Sequence, residues 1–196
     1  MQVRDMKLLE GIEKHRYLRV DQAAQLFFPT IKNFEQQKGK ARERLLVLYR
    51  NKLASRARYP NEPYIYFARG NTRNHKMNHY LMITEVLLQI KKQFPAGSHI
   101  EYEIESKQRH IVPDLIIHYK NDFRNEKQTY YVEVELDSSA DIEGKIRAYE
   151  ELLDKEKLIV VCKHKRSLEQ ARAVDTDLNI IVTDLANINI GNRSFI

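Results

Sequence analysis

Apolar residues recur at helical spacing in four places along the chain. In 5–16 they fall at Met6, Leu8, Leu9 and Ile12, the spacing of one buried helical stripe. A short second helix is predicted over 22–27, opened by Asp21, with Val20 placed as a hydrophobic staple and Pro29 as its stop. A third, over 38–53, carries Ala41, Leu45, Leu48 and Lys52 along one face. A fourth, over 78–94, presents Leu81, Ile83, Val86, Leu87 and Ile90 and ends at Pro95-Ala96-Gly97. Between the third and fourth, 55–59 and 64–67 read as short strands. The Pro60-Asn61-Glu62-Pro63 stretch that joins them has the composition of a hairpin tip.

After residue 95 the period shortens. Segments 100–104 and 111–118 predict neighbouring strands, and the apolar run from His110 to Ile117 carries Asp114 within it. A hydrophilic connection, 120–127, leads to a strand over 128–136 that alternates. Tyr131, Glu133, Glu135 and Asp137 point to one face; Val132, Val134 and Leu136 point to the other. A helix opened by Ser138-Ser139-Ala140-Asp141 contains Ile142, Ile146, Tyr149 and Leu153. A continuous apolar strand, 158–162, reads as buried on both faces. A helix over 167–174 and a strand over 179–183 complete the series. The order α-β-β-β-α-β-α-β predicts an α/β layer structure around a mixed sheet. Three helices and a hairpin ahead of it predict a winged helix-turn-helix, so the chain as a whole reads as α+β with domains at 1–75 and 76–196.

Charge sharpens that division. The 196 residues carry a net +6, but 1–75 hold 16 Lys/Arg against 7 Asp/Glu, a net of +9, leaving 76–196 at −3. A basic block beside a mildly acidic one suggests that the first domain meets an anion such as double-stranded DNA. In a winged helix-turn-helix the third helix enters the major groove and the wing lies along phosphates. Lys38, Lys40, Arg42 and Arg44 are the expected helix contacts, and Arg56 and Arg58 the expected wing contacts. A single cysteine allows no internal disulfide, and no stretch approaches a membrane span or a signal-peptide core, so the expected compartment is the cytoplasm.

Chemistry concentrates in the second domain. Carboxylates on core strands are costly unless something positive meets them. Asp114 and Glu133 are candidate ligands of Mg²⁺ or Mn²⁺, with Glu135 beside them and Lys145 on the following helix able to reach back. Other patterns carry less. His75 and His79 are four apart without a third zinc ligand, and Cys162 reads as a small buried hydrophobe. Glu85 reads either as a surface residue or as leaning towards Asp114. Tyr130, Tyr131 and Tyr149 read as core and cleft-wall residues. No Gly-rich phosphate loop supports nucleotide hydrolysis.

Several short segments carry a resemblance. Ala41-Arg42-Glu43-Arg44-Leu45 with Leu48, Tyr64-Ile65-Tyr66, His79, Val112-Pro113-Asp114, Glu133-Val134-Glu135-Leu136-Asp137, and Lys145 with Tyr149 are similar to the replication-relaxation family of plasmids and integrative elements of Gram-positive bacteria. Pro-Asp followed by acid-x-acid resembles the PD-(D/E)xK nuclease-like fold that this family joins to a winged helix. The resemblance implies a part in replication, relaxation or mobilisation of mobile-element DNA, beside a relaxase or replication protein. Active nucleases of that core place lysine two residues after the second acid, where this chain has Glu135. Three readings follow: a DNA-binding accessory protein with a degenerate nuclease-like domain, a metal-dependent endonuclease using Asp114 and Glu133 with Glu135 and Lys145, and a transcriptional regulator whose second domain forms a homodimer.

Overall fold

The computed structural model describes residues 3–59, 62–71 and 76–190, apart from the side chains of 59, 62 and 63. The chain divides into two compact units between Leu88 and Gln89. That division falls thirteen residues later than the expected 75/76 boundary, inside the fourth helix, for a physical reason. Residues of the first unit engage that helix. Gln22 Nε2 donates to the Leu81 carbonyl at 2.8 Å, His15 Nδ1 lies 2.9 Å from Thr84 Oγ1, and Arg19 pairs with Glu85 at 2.9 Å.

The first unit contains α1 (Val3–His15), β1 (Tyr17–Arg19), α2 (Val20–Phe27), α3 (Phe34–Arg50), β2 (Ala54–Tyr59), β3 (Glu62–Ala68) and the first turns of α4 (Met77–Lys91). The apolar stripes legible in sequence meet in one core. Leu8, Ile12, Leu18, Ala23, Ala24, Ala41, Leu45 and Leu48 are all buried together there, each large one worth roughly 1.5–3 kcal/mol over exposure. α3 begins earlier than its apolar spacing predicts because Asn33 Oδ1 accepts the Gln36 amide at 3.1 Å, a helix-starting cap. α2 begins at Val20, where the Gln22 side chain accepts the Arg19 amide at 3.2 Å. The three strands form an antiparallel sheet in the order β1-β3-β2. β1, three residues long, is an element that the sequence pattern does not announce. The expected hairpin tip at Pro60-Asn61, like His75, lies outside the described residues.

The second unit is built on five strands in the order β4 (His99–Ile104), β5 (Leu115–Asn121), β6 (Glu126–Glu135), β7 (Lys157–Cys162) and β8 (Ile180–Asp184). β4-β5-β6 is an antiparallel meander, whereas β6, β7 and β8 are parallel. Parallel neighbours require crossovers, supplied by α5 (Ile142–Glu150) and α6 (Lys165–Ala173). Both helices bury one face of the sheet, with Ile142, Ile146, Tyr149 and Ala171 packed against Leu158, Val160 and Cys162. On the other face Phe94 stacks on Tyr119 with ring centroids 4.5 Å apart, and on Tyr130 at 5.7 Å. The mixed α/β architecture and mixed sheet agree with the expected fold class. β5 starts at Leu115, however, so Asp114 stands just ahead of the strand rather than within it. Pro113 has no N–H for a ladder, and the Asp114 carbonyl instead accepts the Glu105 amide at 3.2 Å.

Candidate functional site

Two groups of residues carry chemistry, one in each unit. In the second unit the pleat of β6 sends Glu133 and Glu135 to the face covered by α5, opposite Val132 and Val134. Register places Glu133 beside Val160 and Glu135 beside Cys162. α5 is aimed by its N-cap. Asp141 Oδ1 accepts the Gly144 amide at 2.9 Å, and a Cβ on residue 144 would come within 2.3 Å of that carboxylate, so a side chain there would displace the capping group. One turn on, Lys145 and Tyr149 project from α5 onto the two glutamates.

Each acid has a defined partner. Asp114 Oδ2 accepts the Val134 amide at 2.7 Å, tying the mouth of β5 to β6. Glu133 Oε1 accepts the Tyr149 hydroxyl at 2.5 Å. Glu135, 6% exposed, receives the Lys145 ammonium at 2.7 Å through Oε2 and the Asp137 amide at 2.8 Å through Oε1. Burial, then the adjacent Asp114 charge, push the Glu133 carboxyl up to about 7, against the opposing pull of the Tyr149 hydrogen bond and Lys145. Burial works against the Lys145 ammonium, but Glu135, then Glu133 and Asp114, outweigh it and hold the amine above its ordinary range. Tyr149 is raised by burial and by the Glu133 charge, which keeps it a hydrogen-bond donor. Asp114, Glu133, Glu135, Lys145 and Tyr149 therefore act on one another as a single electrostatic cluster.

Among the described residues no three His, Cys, Asp or Glu side chains are grouped to hold a metal ion. Asp114 and Glu133 carry oxygen donors of the kind that suits Mg²⁺ or Mn²⁺, and the rise at Glu133 comes from burial first and from the Asp114 charge second. Glu135 is spoken for by Lys145. Neighbouring groups have structural duties: Asp137 Oδ1 accepts the Ser139 amide at 3.0 Å, and Cys162 is buried, its thiol raised to about 11 by burial and then by Glu135. Tyr130 and Tyr149 are core residues, and Tyr131 packs edge-on against Tyr149 at 6.0 Å. Glu85 is the ion-pair partner of Arg19. His79 is half-buried with its ring edge-on to Tyr80 at 6.1 Å.

In the first unit the basic candidates separate into distinct environments. Lys38 pairs with Glu35 at 2.6 Å and Lys40 with Glu43 at 2.8 Å, both one turn apart on α3. Such surface pairs are worth little and exchange readily. Arg42 is exposed on the same helix. Arg44, also an expected helix contact, is engaged within the unit. Its guanidinium binds Asp5 through Nε at 2.8 Å and Nη2 at 2.5 Å, with the arginine side chain 14% exposed and the aspartate 3%. It clamps α1 to α3, which Arg44 in a run of alternating cations does not reveal. On the hairpin, Arg58 is exposed. The Arg56 guanidinium lies 4.3 Å from the Tyr49 ring centroid and 4.4 Å from that of Tyr64. Sequence reasoning missed both tyrosines as functional candidates; the available signal was Tyr64 within two residues of the cross-strand partner of Arg56.

No helix among the described residues is long and apolar enough to cross a membrane. Compared with known proteins, the chain matches no family model, and no curated protein or solved structure is similar to it at a significant level.

Proposed function

We propose that this chain is a DNA-binding accessory protein for replication, relaxation or mobilisation of mobile-element DNA, reading duplex DNA with a winged helix-turn-helix and carrying a nuclease-like second domain. The observation that carries the reading is the first unit's topology combined with its charge. The order α1-β1-α2-α3-β2-β3 with the sheet β1-β3-β2 supports the winged-helix reading, in which α3 would be the groove-entering helix. That helix presents Lys38, Lys40 and Arg42, and the hairpin presents Arg56 and Arg58. The mobile-element setting rests on the family resemblance in the sequence. In the second unit, an antiparallel meander followed by a βαβ crossover, with Asp114 beside the first pair and Glu133 on the strand entering the crossover, supports the PD-(D/E)xK-like reading.

A second reading, a metal-dependent DNA endonuclease, is favoured by one observation: the half-exposed Lys145 side chain brings its ammonium to 2.7 Å from Glu135 in the acid cluster. Asp114 and Glu133 would hold Mg²⁺ or Mn²⁺, which would supply Lewis acidity at a phosphate, and Lys145 would supply the positive charge that the strand lacks at Glu135.

One experiment addresses both. The protein is titrated onto origin-proximal duplex DNA in gel shifts at rising salt, and supercoiled plasmid is incubated with protein and Mg²⁺ or Mn²⁺. Binding that weakens steeply with salt is expected; absence of binding at low salt removes the leading reading. Nicking that disappears in Asp114→Ala supports the endonuclease, and nicking unchanged in that variant discards it.

A further inference from the structure

Among the cations of the first unit, Arg56 is distinguished by what surrounds it. Lys38, Lys40 and Arg44 each face a carboxylate, which neutralises part of their charge. Arg56 is held by aromatic rings instead. Tyr49, in the last turn of α3, and Tyr64, on β3, each bring a ring centroid within 4.4 Å of the guanidinium carbon. Tyr66 stands directly across the β2–β3 pair from Arg56. Among the described residues no carboxylate pairs with Arg56. The group therefore keeps its full positive charge while losing its rotational freedom.

That combination has a specific use. A free arginine sacrifices side-chain entropy when it grips an anion, whereas a guanidinium already held by rings retains its remaining N–H donors in a fixed plane. Ring contacts occupy the face of the guanidinium, and bidentate recognition of two anionic oxygens uses its edge. Both rings stand at the surface, Tyr49 38% and Tyr64 40% exposed, so the stack is open to a partner rather than sealed in the core. The three residues come from α3, β2 and β3, which locks the stack to the junction between helix and hairpin.

We propose that Tyr49 and Tyr64 are positioning residues that hold Arg56 as a preformed fork for one phosphodiester of bound DNA. The inference rests on the DNA-binding reading above and adds to it which cation fixes the protein's orientation and why lysine cannot replace it.

The test is fluorescence anisotropy with the full chain, a labelled duplex and two salt concentrations, each variant first checked for a cooperative thermal transition. Arg56→Lys keeps the charge but loses the fork and is expected to weaken binding about fivefold, with the salt slope unchanged. Arg56→Gln is expected to weaken it further and lower the slope by about one. The Tyr49→Leu/Tyr64→Leu double variant keeps every charge and is expected to weaken binding about fivefold, whereas Tyr64→Phe retains the ring and binds as wild type. If wild type binds and Arg56→Lys and the double variant stay within twofold of it, the fork is overturned while DNA binding stands. If wild type binds no duplex at either salt, both fall. Should the double variant fail to fold, the two arginine variants decide alone.

Discussion

Replacing Glu133 by glutamine isolates the electrostatic cost of the acid cluster. In the folded chain the Glu133 carboxyl titrates at about 7 rather than near 4.5, through burial first and the Asp114 charge second. Between those values the folded state binds a proton that the unfolded chain has released, so stability falls as pH rises. The favourable contribution is complete below about 4.5 and is lost once pH passes about 7. At roughly 1.4 kcal/mol per pH unit the interval amounts to about 3 kcal/mol, and solvent screening of the half-exposed Lys145, whose charge opposes the rise, does not reduce it. Glutamine carries no charge at any pH and its side-chain oxygen still accepts from the Tyr149 hydroxyl. Urea denaturation of wild type and Glu133→Gln in EDTA at pH 5 and pH 8 measures the difference, and titrations common to both proteins cancel. The variant is expected to gain about 2–3 kcal/mol on wild type between the two pH values. If the difference between the proteins shifts by less than about 0.5 kcal/mol, the assignment of a raised Glu133 carboxyl is wrong.

Two further outcomes follow from the first unit. Arg44→Ala leaves the Asp5 carboxylate buried without its guanidinium and is expected to cost about 3 kcal/mol in urea unfolding; a stable Arg44→Ala protein with reduced DNA affinity would instead return Arg44 to the recognition surface. Gly39 lies in mid-α3 with open space where a Cβ would sit, so Gly39→Ala is expected to raise stability by about 0.5–1 kcal/mol in thermal melts. On the proposed recognition face the added methyl is expected to weaken duplex binding, a separation of stability from affinity that an idle surface does not produce.

Much of the architecture was legible because its burial is periodic. The stripe Leu8–Ile12, the face Ala41–Leu45–Leu48 and the alternation through Glu133 and Glu135 each map onto observed elements. What failed to show was decided by single hydrogen bonds or by distant partners. A three-residue strand such as β1 is too short to display a period. The start of α3 at Phe34 was set by one Asn33 cap, and the start of β5 at Leu115 by the neighbouring proline. At the site, spacing nominated Asp114, Glu133, Glu135 and Lys145, and the structure brings these four together. Spacing was silent on which acid the lysine would choose, because that depends on the rotation of α5 about its own axis. Arg44 and Glu85 illustrate the converse: their partners, Asp5 and Arg19, lie 39 and 66 residues away, beyond the reach of any local pattern.

β6 joins two kinds of ladder, antiparallel to β5 and parallel to β7, and so has no open edge along which to slide. Slipping by a single position would turn Glu133 and Glu135 into the layer occupied by Val132 and Val134 and bring valines out in their place. Two carboxylates stranded in hydrocarbon would forbid that frame. Insertions or deletions in this half of the chain should therefore survive at the 122–125 turn and be lethal to folding within the strand itself.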